Sequence, residues 1–524
     1  VLTPRPLRTR LEPTLPRPNA ADAIPGTDRD ATRVVFVTIL IGTAARLALA
    51  ASLGLGIDES YMVAAGRVLR LGYFDHPPLS WWLSAGFSRV VGSEAAWVVR
   101  LPFVALFALT TWLMFRLGAA LFGARAGMWA AVALSLAPVF SVAAGGWVLP
   151  DGPLDCFLVA AALCFVRALT DGGAAWRWWL AAGAASGGAL LSKYSAGLVL
   201  AGALLYLLTQ PNDRKWLRRP QPYAAAALAA VLFAPVLWWN ARHGWASFAF
   251  QGSRAGAEHF NPFGPLTVLG GEALFLLPWL WLPLVLAFAR GARDGPASWR
   301  TWLPCCLGVG PILLFAVVGF WSKHVLFHWA APGYLMLLPA LGAEIERLAV
   351  ARPAAVRRTL VGTLALYGLV LVVLVGEFRF ALLPAAMDRA IPLARAEMQA
   401  RDWTPLKHAL AERGLLRPGA VVAGVGWQDT GKIDFALGGA APVICLNADA
   451  RQYRFTPGMA EHLGEDVLIA STKLVTAEAL ARQGVRFDAL EPLAPVDVMP
   501  PGSNRAGQPG GTLFLTLGHR LHPP

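Results

Sequence analysis

The sequence predicts a polytopic α-helical membrane protein with a small C-terminal α/β domain, and three observations lead there. The 524-residue chain is 56% hydrophobic and only 15% charged, with a mean hydropathy of +0.52. A soluble fold could not hide so much apolar surface behind so few charges. Apolar runs long enough to span a bilayer recur through residues 34–380. The basic residues between them alternate from loop to loop, as they do when positive charge orients a membrane protein.

Taken in order, residues 1–33 are rich in Pro and Arg with almost no apolar periodicity, and read as a disordered cytoplasmic leader. No signal-peptide pattern with a cleavage site follows, and the run Val34–Gly56 reads as an uncleaved anchor. Further spans are expected near 100–121, 127–146, 153–170, 177–192, 194–209, 222–239, 266–289, 301–320, 330–346 and 359–379, making about eleven in all. Trp and Tyr crowd their ends, as interfacial belts require. With the N-terminus inside, the inner loops hold Arg116 and Arg125, Arg167 and Arg177, Arg214 to Arg219, Arg290 to Arg300, and Arg347 to Arg358. The opposite loops carry fewer, and the first outer loop, with Arg67, Arg70, Arg89 and Arg100, runs against the trend.

An odd number of spans puts residues 381–524 outside an inner (plasma) membrane. That tail alternates strand-like pieces (Ala420–Val425, Pro442–Leu446, Val467–Ala470, Thr512–Leu517) with helical ones (Met398–Glu412, Asp429–Leu437, Ala477–Gln483), the pattern of a small α/β domain. The bilayer is therefore one partner. The net charge of +13 sits in short loop clusters, so no nucleic-acid partner is expected. Cys156, Cys164, Cys305 and Cys306 lie in apolar stretches and Cys445 stands alone, which excludes a disulfide framework or a zinc motif. Gly426 to Lys432 fits G-x4-G-K, but Ile433 stands where the magnesium-binding Ser or Thr of a phosphate loop would be, and no nucleotide cofactor is expected.

The outer loops concentrate the unusual charges. The first carries Asp58 and Glu59, then apolar residues at helical spacing over Tyr61–Leu71, an amphipathic helix suited to lie in the interface. Asp75-His76-Pro77-Pro78 follows. Later outer loops hold Asp151, Lys193, the Glu258–His259 pair, and Lys323, His324 and His328. Asp151 sits in a turn sequence that explains it by itself. An unpaired ammonium at Lys193, between two short apolar runs, is costly. His324 and His328 have metal-like spacing but no acidic neighbour in sequence, and read as interfacial histidines. Transfer of a sugar from a polyprenyl phosphate to a hydroxyl needs such a set: a carboxylate base for the acceptor and cations for the departing phosphate. The alternative is a transporter or lipid flippase, for which Arg46, Asp155 and Glu272 would be the in-span charges. No internal repeat supports it.

These segments resemble the bacterial protein O-mannosyltransferase-like glycosyltransferases (family 39, GT-C superfamily), to which the lipid A aminoarabinose transferase is related. The resemblance runs over about residues 34–450 and rests on DES…GYFDHPPL at 58–79, PDGPL at 150–154, LSKYS at 191–195 and HWAAPGYLMLLPAL at 328–341. It implies a GT-C fold and inverting transfer from a polyprenyl-phosphate sugar donor to an envelope glycan, lipid or protein hydroxyl. Asp58 is then the base or the acceptor-orienting carboxylate, with Glu59 beside it in the catalytic motif. Lys193 contacts the donor phosphate, and Asp151 and Tyr61 belong to the same site. Asp75 is implied as a ligand of a divalent metal ion, with His259 as its partner. Two positions depart from the aminoarabinose transferase: His76 stands for a lysine and Tyr61 for an arginine. His76 can contact phosphate strongly only if protonated.

Overall fold

The computed structural model describes residues 25–254, 256, 259–322, 325–380, 401–456, 458–498 and 511–522. Residues 1–24 of the expected leader, Glu258, Lys323, His324 and residues 381–400 lie outside the described residues. A helical bundle fills residues 25–380, and an α/β cap follows over residues 401–522.

The bundle helices are α1 (Pro25–Ser52), α2 (Ile57–Gly66), α3 (Leu79–Val91), α4 (Ala96–Phe122), α5 (Ala124–Leu136), α6 (Asp151–Thr170), α7 (Ala175–Ser192) and α8 (Ala196–Thr209). They continue with α9 (Pro220–Arg242), α10 (Ala246–Arg254), α11 (Gly264–Leu276), α12 (Pro278–Asp294), α13 (Trp299–Val318), α14 (Ala331–Ala351) and α15 (Pro353–Phe380). Six helices are long and apolar enough to cross a membrane, or seven if the bent pair α11–α12 is one span, among the described residues. The main core lies among α4 to α8 and α12 to α14, around Phe140, Leu154, Tyr206 and Leu335.

Helix α1 begins at Pro25, so its first turns take residues 25–33 from the expected leader. Asp28 sits in that first turn, where a carboxylate favours the helix dipole. The expected span 127–146 stops as a helix at Leu136, because Pro138 cannot continue the hydrogen-bond ladder. A π-helical turn over Val139–Ala144 follows. Its neighbourhood is satisfied from other helices: Tyr367 donates to the Leu136 carbonyl at 2.8 Å and the Arg46 Nε to the Ser141 carbonyl at 2.9 Å. The expected single span 266–289 is two helices bent by 117°. Leu277, left-handed at φ 69° and followed by Pro278, makes the corner.

Helix α2 differs most from expectation. The helix foreseen over Tyr61–Leu71 on the membrane surface is instead Ile57–Gly66, buried from Glu59 onward. The cap covers it. In chain order the cap contains α16 (Pro405–Glu412), β1 (Val421–Gly424), α17 (Trp427–Leu437), β2 (Val443–Cys445), β3 (Val467–Ser471), α18 (Ala477–Ala481), β4 (Arg486–Asp497) and β5 (Thr512–His522). The sheet order is β2-β1-β3-β5-β4, with β1 parallel to β2 and β3, and β5 antiparallel to β3 and β4.

Helix α17 lies on α2. A Cβ on Gly431 would stand 2.8 Å from the Tyr61 Cα, so a glycine sets how closely the two helices approach. The Lys432 ammonium is buried there and donates to the Leu55 carbonyl at 2.6 Å and to the Arg401 carbonyl. Burial pushes its pKa down to about 7. The lysine of the G-x4-G-K stretch thus ties bundle to cap and offers nothing to a phosphate. Arg67 adds a second tie, pairing with Glu94 at 2.7 Å and with Asp434 of α17 at 2.9 Å.

Gly431→Val should push α17 off α2. The loss should be about 1–3 kcal/mol, as for overpacking of a tight contact. Thermal unfolding of purified protein in detergent should show a lower first transition while membrane insertion is unchanged.

Candidate active site

The site is built around a buried ion pair. Glu59, in the first turn of α2, meets Arg100 of α4, and each side chain is 3% exposed. Glu59 Oε1 accepts from Arg100 Nε at 2.8 Å and from the Val148 amide at 3.0 Å. Its Oε2 accepts from Arg100 Nη2 at 2.5 Å and from the Gly56 amide at 2.8 Å. Arg100 also donates to the carbonyls of Ala50, Leu53 and Gly54, where α1 ends. Burial works to raise the Glu59 carboxyl, but the Arg100 charge and the hydrogen bonds outweigh it and hold the carboxyl below its ordinary range. The stability this contributes is therefore present above the ordinary Glu range and is lost as pH falls through the depressed value. Both oxygens being taken, Glu59 has no lone pair free to act as a base. Expected as catalytic, it fixes the loop that carries its neighbour.

That neighbour, Asp58, points the other way. Its side chain is exposed, yet protein surrounds it closely, so it opens into a cavity and not onto an outer surface. Burial raises its pKa, the charges of Glu59 and Asp151 add to this, and those of Arg451 and Arg254 oppose it. Asp151, at the N-terminus of α6, pairs with Lys193 at 2.9 Å. Lys193 ends α7 in extended backbone, which turns its ammonium toward α6. The turn residue and the costly lone lysine of the sequence are thus each other's partners.

Asp75 is buried close by, within reach of the Asp58 charge. Its Oδ2 meets Arg451 Nη1 at 3.2 Å, its carbonyl accepts from Gln251, and the Tyr61 hydroxyl lies near its carboxylate. Its Oδ1 is buried without a hydrogen-bond partner. Burial raises its pKa to about 6 against the opposing charge of Arg451. Tyr61 also accepts from the Gln452 amide at 3.0 Å. His76 lies beside Lys193 and Asp151; burial first, then the Lys193 charge, push its pKa well below 6.5. This favours the neutral imidazole, which can offer a phosphate a hydrogen bond but no charge. His328 behaves likewise, lowered to about 4 by burial and by Lys193.

The structure therefore brings together Asp58, Tyr61, Asp75, His76, Asp151 and Lys193. His259 is exposed, and among the described residues it makes no contact with Asp75. Nor do the described residues hold any group of three or more metal-ligating side chains. The Arg451 guanidinium takes Asp75 Oδ2, which leaves Oδ1 as the open oxygen of that carboxylate. Among the described residues no set of three or more metal-ligating side chains is thus assembled around Asp75.

Three residues join the pocket that sequence reasoning did not select for it: Arg254 at the end of α10, His328 before α14, and Arg451 of the cap. Arg254 was visible as an outer-loop cation and His328 within the HWAAPGYLMLLPAL stretch. Arg451 carried no signal, since it sits in a polar run some 250 residues beyond Lys193.

A helical bundle of this kind, followed by such a cap, has solved counterparts. Crystal structures of ArnT from Cupriavidus metallidurans, bound to undecaprenyl phosphate and in the apo state, superpose with TM-scores of 0.62 and 0.60. They cover 93% of this chain and 98% of theirs, at 16% and 18% identity. The fold is that of these ArnT structures. Residues 75–239 match the family model described as dolichyl-phosphate-mannose-protein mannosyltransferase. Lipid A galacturonosyltransferase RgtD of Rhizobium johnstonii is 25% identical over 295 residues, which is 53% of this chain and 58% of that relative. The chain thus matches little more than half the length of this curated relative. By these matches the chain resembles ArnT in fold and the protein mannosyltransferase family over part of its length.

Arg100→Met should strand the Glu59 charge and cost about 3–5 kcal/mol. The double variant Glu59→Leu/Arg100→Met should recover much of that loss in a thermal melt.

Proposed function

We propose that the protein is an integral-membrane glycosyltransferase that moves a sugar from a polyprenyl-phosphate donor to a hydroxyl of an envelope acceptor, with inversion, on the outer face of the inner membrane. One observation carries this reading. The Asp58 carboxylate lies within reach of the charges of Arg451, Arg254 and Asp151, and Asp151 holds Lys193 at 2.9 Å. A base and a cationic cradle for an anionic leaving group are the two parts the reaction needs.

In this reading Asp58 takes the proton of the acceptor hydroxyl as its oxygen attacks the anomeric carbon. The bond from that carbon to the phosphate oxygen breaks, and the electron pair leaves on the polyprenyl phosphate. Lys193, steadied by Asp151, faces the departing charge, and Arg254 stands near it. Neutral His76 can donate one hydrogen bond there. Tyr61 and Asp75 offer hydrogen-bonding groups along the opposite wall.

The membrane arrangement supports the reading. Counting α1, α4, α5 with its π-helical turn, α6, α7, α8, α9, the bent pair α11–α12, α13, α14 and α15 as eleven crossings puts every site residue on one side. Asp58, Asp75 and His76 follow the first crossing, Asp151 the third, Lys193 the fifth, Arg254 the seventh and His328 the ninth. Arg451 follows the eleventh. Counting α11 and α12 as two crossings would separate His328 and Arg451 from the pocket they share with Arg254. With the N-terminus inside, the cap lies outside the cytoplasm, beside donors and acceptors of the envelope.

The relatives suggest where to begin: undecaprenyl phosphate as the carrier, galacturonic acid as the sugar, lipid A as the acceptor. A transporter is not favoured. Glu272 is bound by the Tyr334 hydroxyl at 2.7 Å, Arg46 lies 4.0 Å from the Phe107 ring centroid, and Asp155 is buried one turn below Asp151.

Asp58→Asn should lower transfer by about 10²–10⁴-fold, the usual contribution of a general base, while the protein stays folded in the membrane. Turnover of undecaprenyl-phosphate sugars with a lipid A-containing extract measures this; normal activity of the variant would sink the assignment. Because a base must be unprotonated and Asp58 is shifted upward, the wild-type rate should fall with acidification at a pH above the ordinary Asp range. A rate flat down to pH 4 would count against it.

A further inference from the structure

Arg451 is placed at a cost. It adopts the left-handed backbone at φ 47°, which a non-glycine residue occupies only where its surroundings enforce it. The enforcement is visible. Its guanidinium carbon lies 3.7 Å from the Trp427 ring centroid. The next residue, Gln452, donates its amide to the Tyr61 hydroxyl and accepts the Phe74 amide at 2.9 Å. The cap thus grips the loop before Asp75 from two sides and aims one arginine into the pocket.

That arginine is underused. Its contact with Asp75 is a single one of 3.2 Å, where an arginine and a carboxylate can make two shorter parallel bonds. Its Nε is buried with no hydrogen bond, the nearest carboxylate oxygen being that of Asp449 at 3.8 Å. Asp75 Oδ1 is buried and unpartnered as well. Idle buried groups of this kind are expensive unless something else satisfies them.

A second guanidinium faces the same place. Arg254 and Arg451 lie against the same Phe250 ring, 5.6 and 5.3 Å from its centroid. Burial lowers the pKa of Arg254, and the Arg451 charge lowers it further. Among the described residues no carboxylate forms an ion pair with Arg254. Two arginines that repel one another across one ring are a charge arrangement that an anion with several oxygens would satisfy. Asp75, with its one contact to Arg451, satisfies it only in part.

We propose that Arg451 is a donor-binding residue supplied by the α/β cap, which exchanges Asp75 for the phosphate of the bound polyprenyl phosphate. This rests on the donor class proposed above. In the donor-free protein Asp75 holds the guanidinium in place. When the phosphate arrives, Arg451 turns its free Nε and its Nη groups onto phosphate oxygens and releases the Asp75 carboxylate to face the sugar. The cap is then part of the donor site as well as its cover.

The experiment measures binding of undecaprenyl phosphate to the full-length protein in detergent, with undecaprenol as the uncharged control. Arg451→Gln should weaken undecaprenyl phosphate binding by about 10- to 100-fold, the worth of hydrogen bonds to a charged group, and Arg451→Lys should retain part of it. Asp75→Asn removes the competitor for Arg451 and should tighten binding. That gain should vanish in the Asp75→Asn/Arg451→Gln double variant. A merely structural arginine would give no gain from Asp75→Asn. Equal affinity of the wild type and Arg451→Gln, or unchanged or weaker binding by Asp75→Asn, would overturn the proposal. If the wild type itself binds undecaprenyl phosphate no better than undecaprenol, it is the donor reading of the whole site that fails.

Discussion

Glu59 and Arg100 are buried together with every oxygen of the carboxylate hydrogen-bonded, and the rest of the site hangs from that pair. A charge in such a place is tolerated only when it is paired and its remaining bonding capacity is used. The carbonyls that end α1, the first turn of α2, the amide of Val148 and the body of α4 all meet at it. The segment that enters α6 is thereby fixed against the segment that leaves α1. Asp58, one residue before Glu59, can then stay open to the cavity while its neighbour is locked. Two adjacent carboxylates so acquire opposite tasks from opposite environments, one holding the backbone and one free to take a proton.

The same logic extends to the cap. Tyr61, two residues after Glu59, lies under Gly431 of α17 and hydrogen-bonds Gln452, while Lys432 and Arg67 tie the cap to the ends of α1 and α2. These are buried polar bonds at a close helix contact, so the cap is seated in one register. Arg451 reaches Asp75 because of that register. A cap joined only by a flexible tether would not place a strained arginine at one carboxylate. Stability of the interface and composition of the pocket are therefore one property, and substitutions such as Gly431→Val touch both.

How much of this could be read from the chain depends on range. Asp58, Asp75, Asp151 and Lys193 stood out because charges beside apolar runs are costly, and the fold gathers all of them. The eleven apolar runs correspond to helices because composition alone drives an apolar segment to bury its backbone bonds within a helix. The breaks at Pro138 and Leu277–Pro278 were marked by proline, yet the length of the apolar run concealed them. Segments read as strands in the tail became β1, β2, β3 and the start of β5. Strand β4, with Pro492 and Pro495 and mostly exposed residues, lacks the alternation that announces a strand.

The sequence by itself determined a helical chain with segments apolar enough to cross a membrane, and the acidic and basic residue types of the site. It determined these because hydropathy, positive charge and the cost of a lone ion act locally along the chain. Which carboxylate is locked and which is free, that Lys193 belongs to Asp151, that His76 stays neutral, and that an arginine of the cap completes the pocket were decided by tertiary structure. Each of these depends on which group lies within a few ångströms of another in a dry interior, and residues far apart in sequence hold no record of that distance.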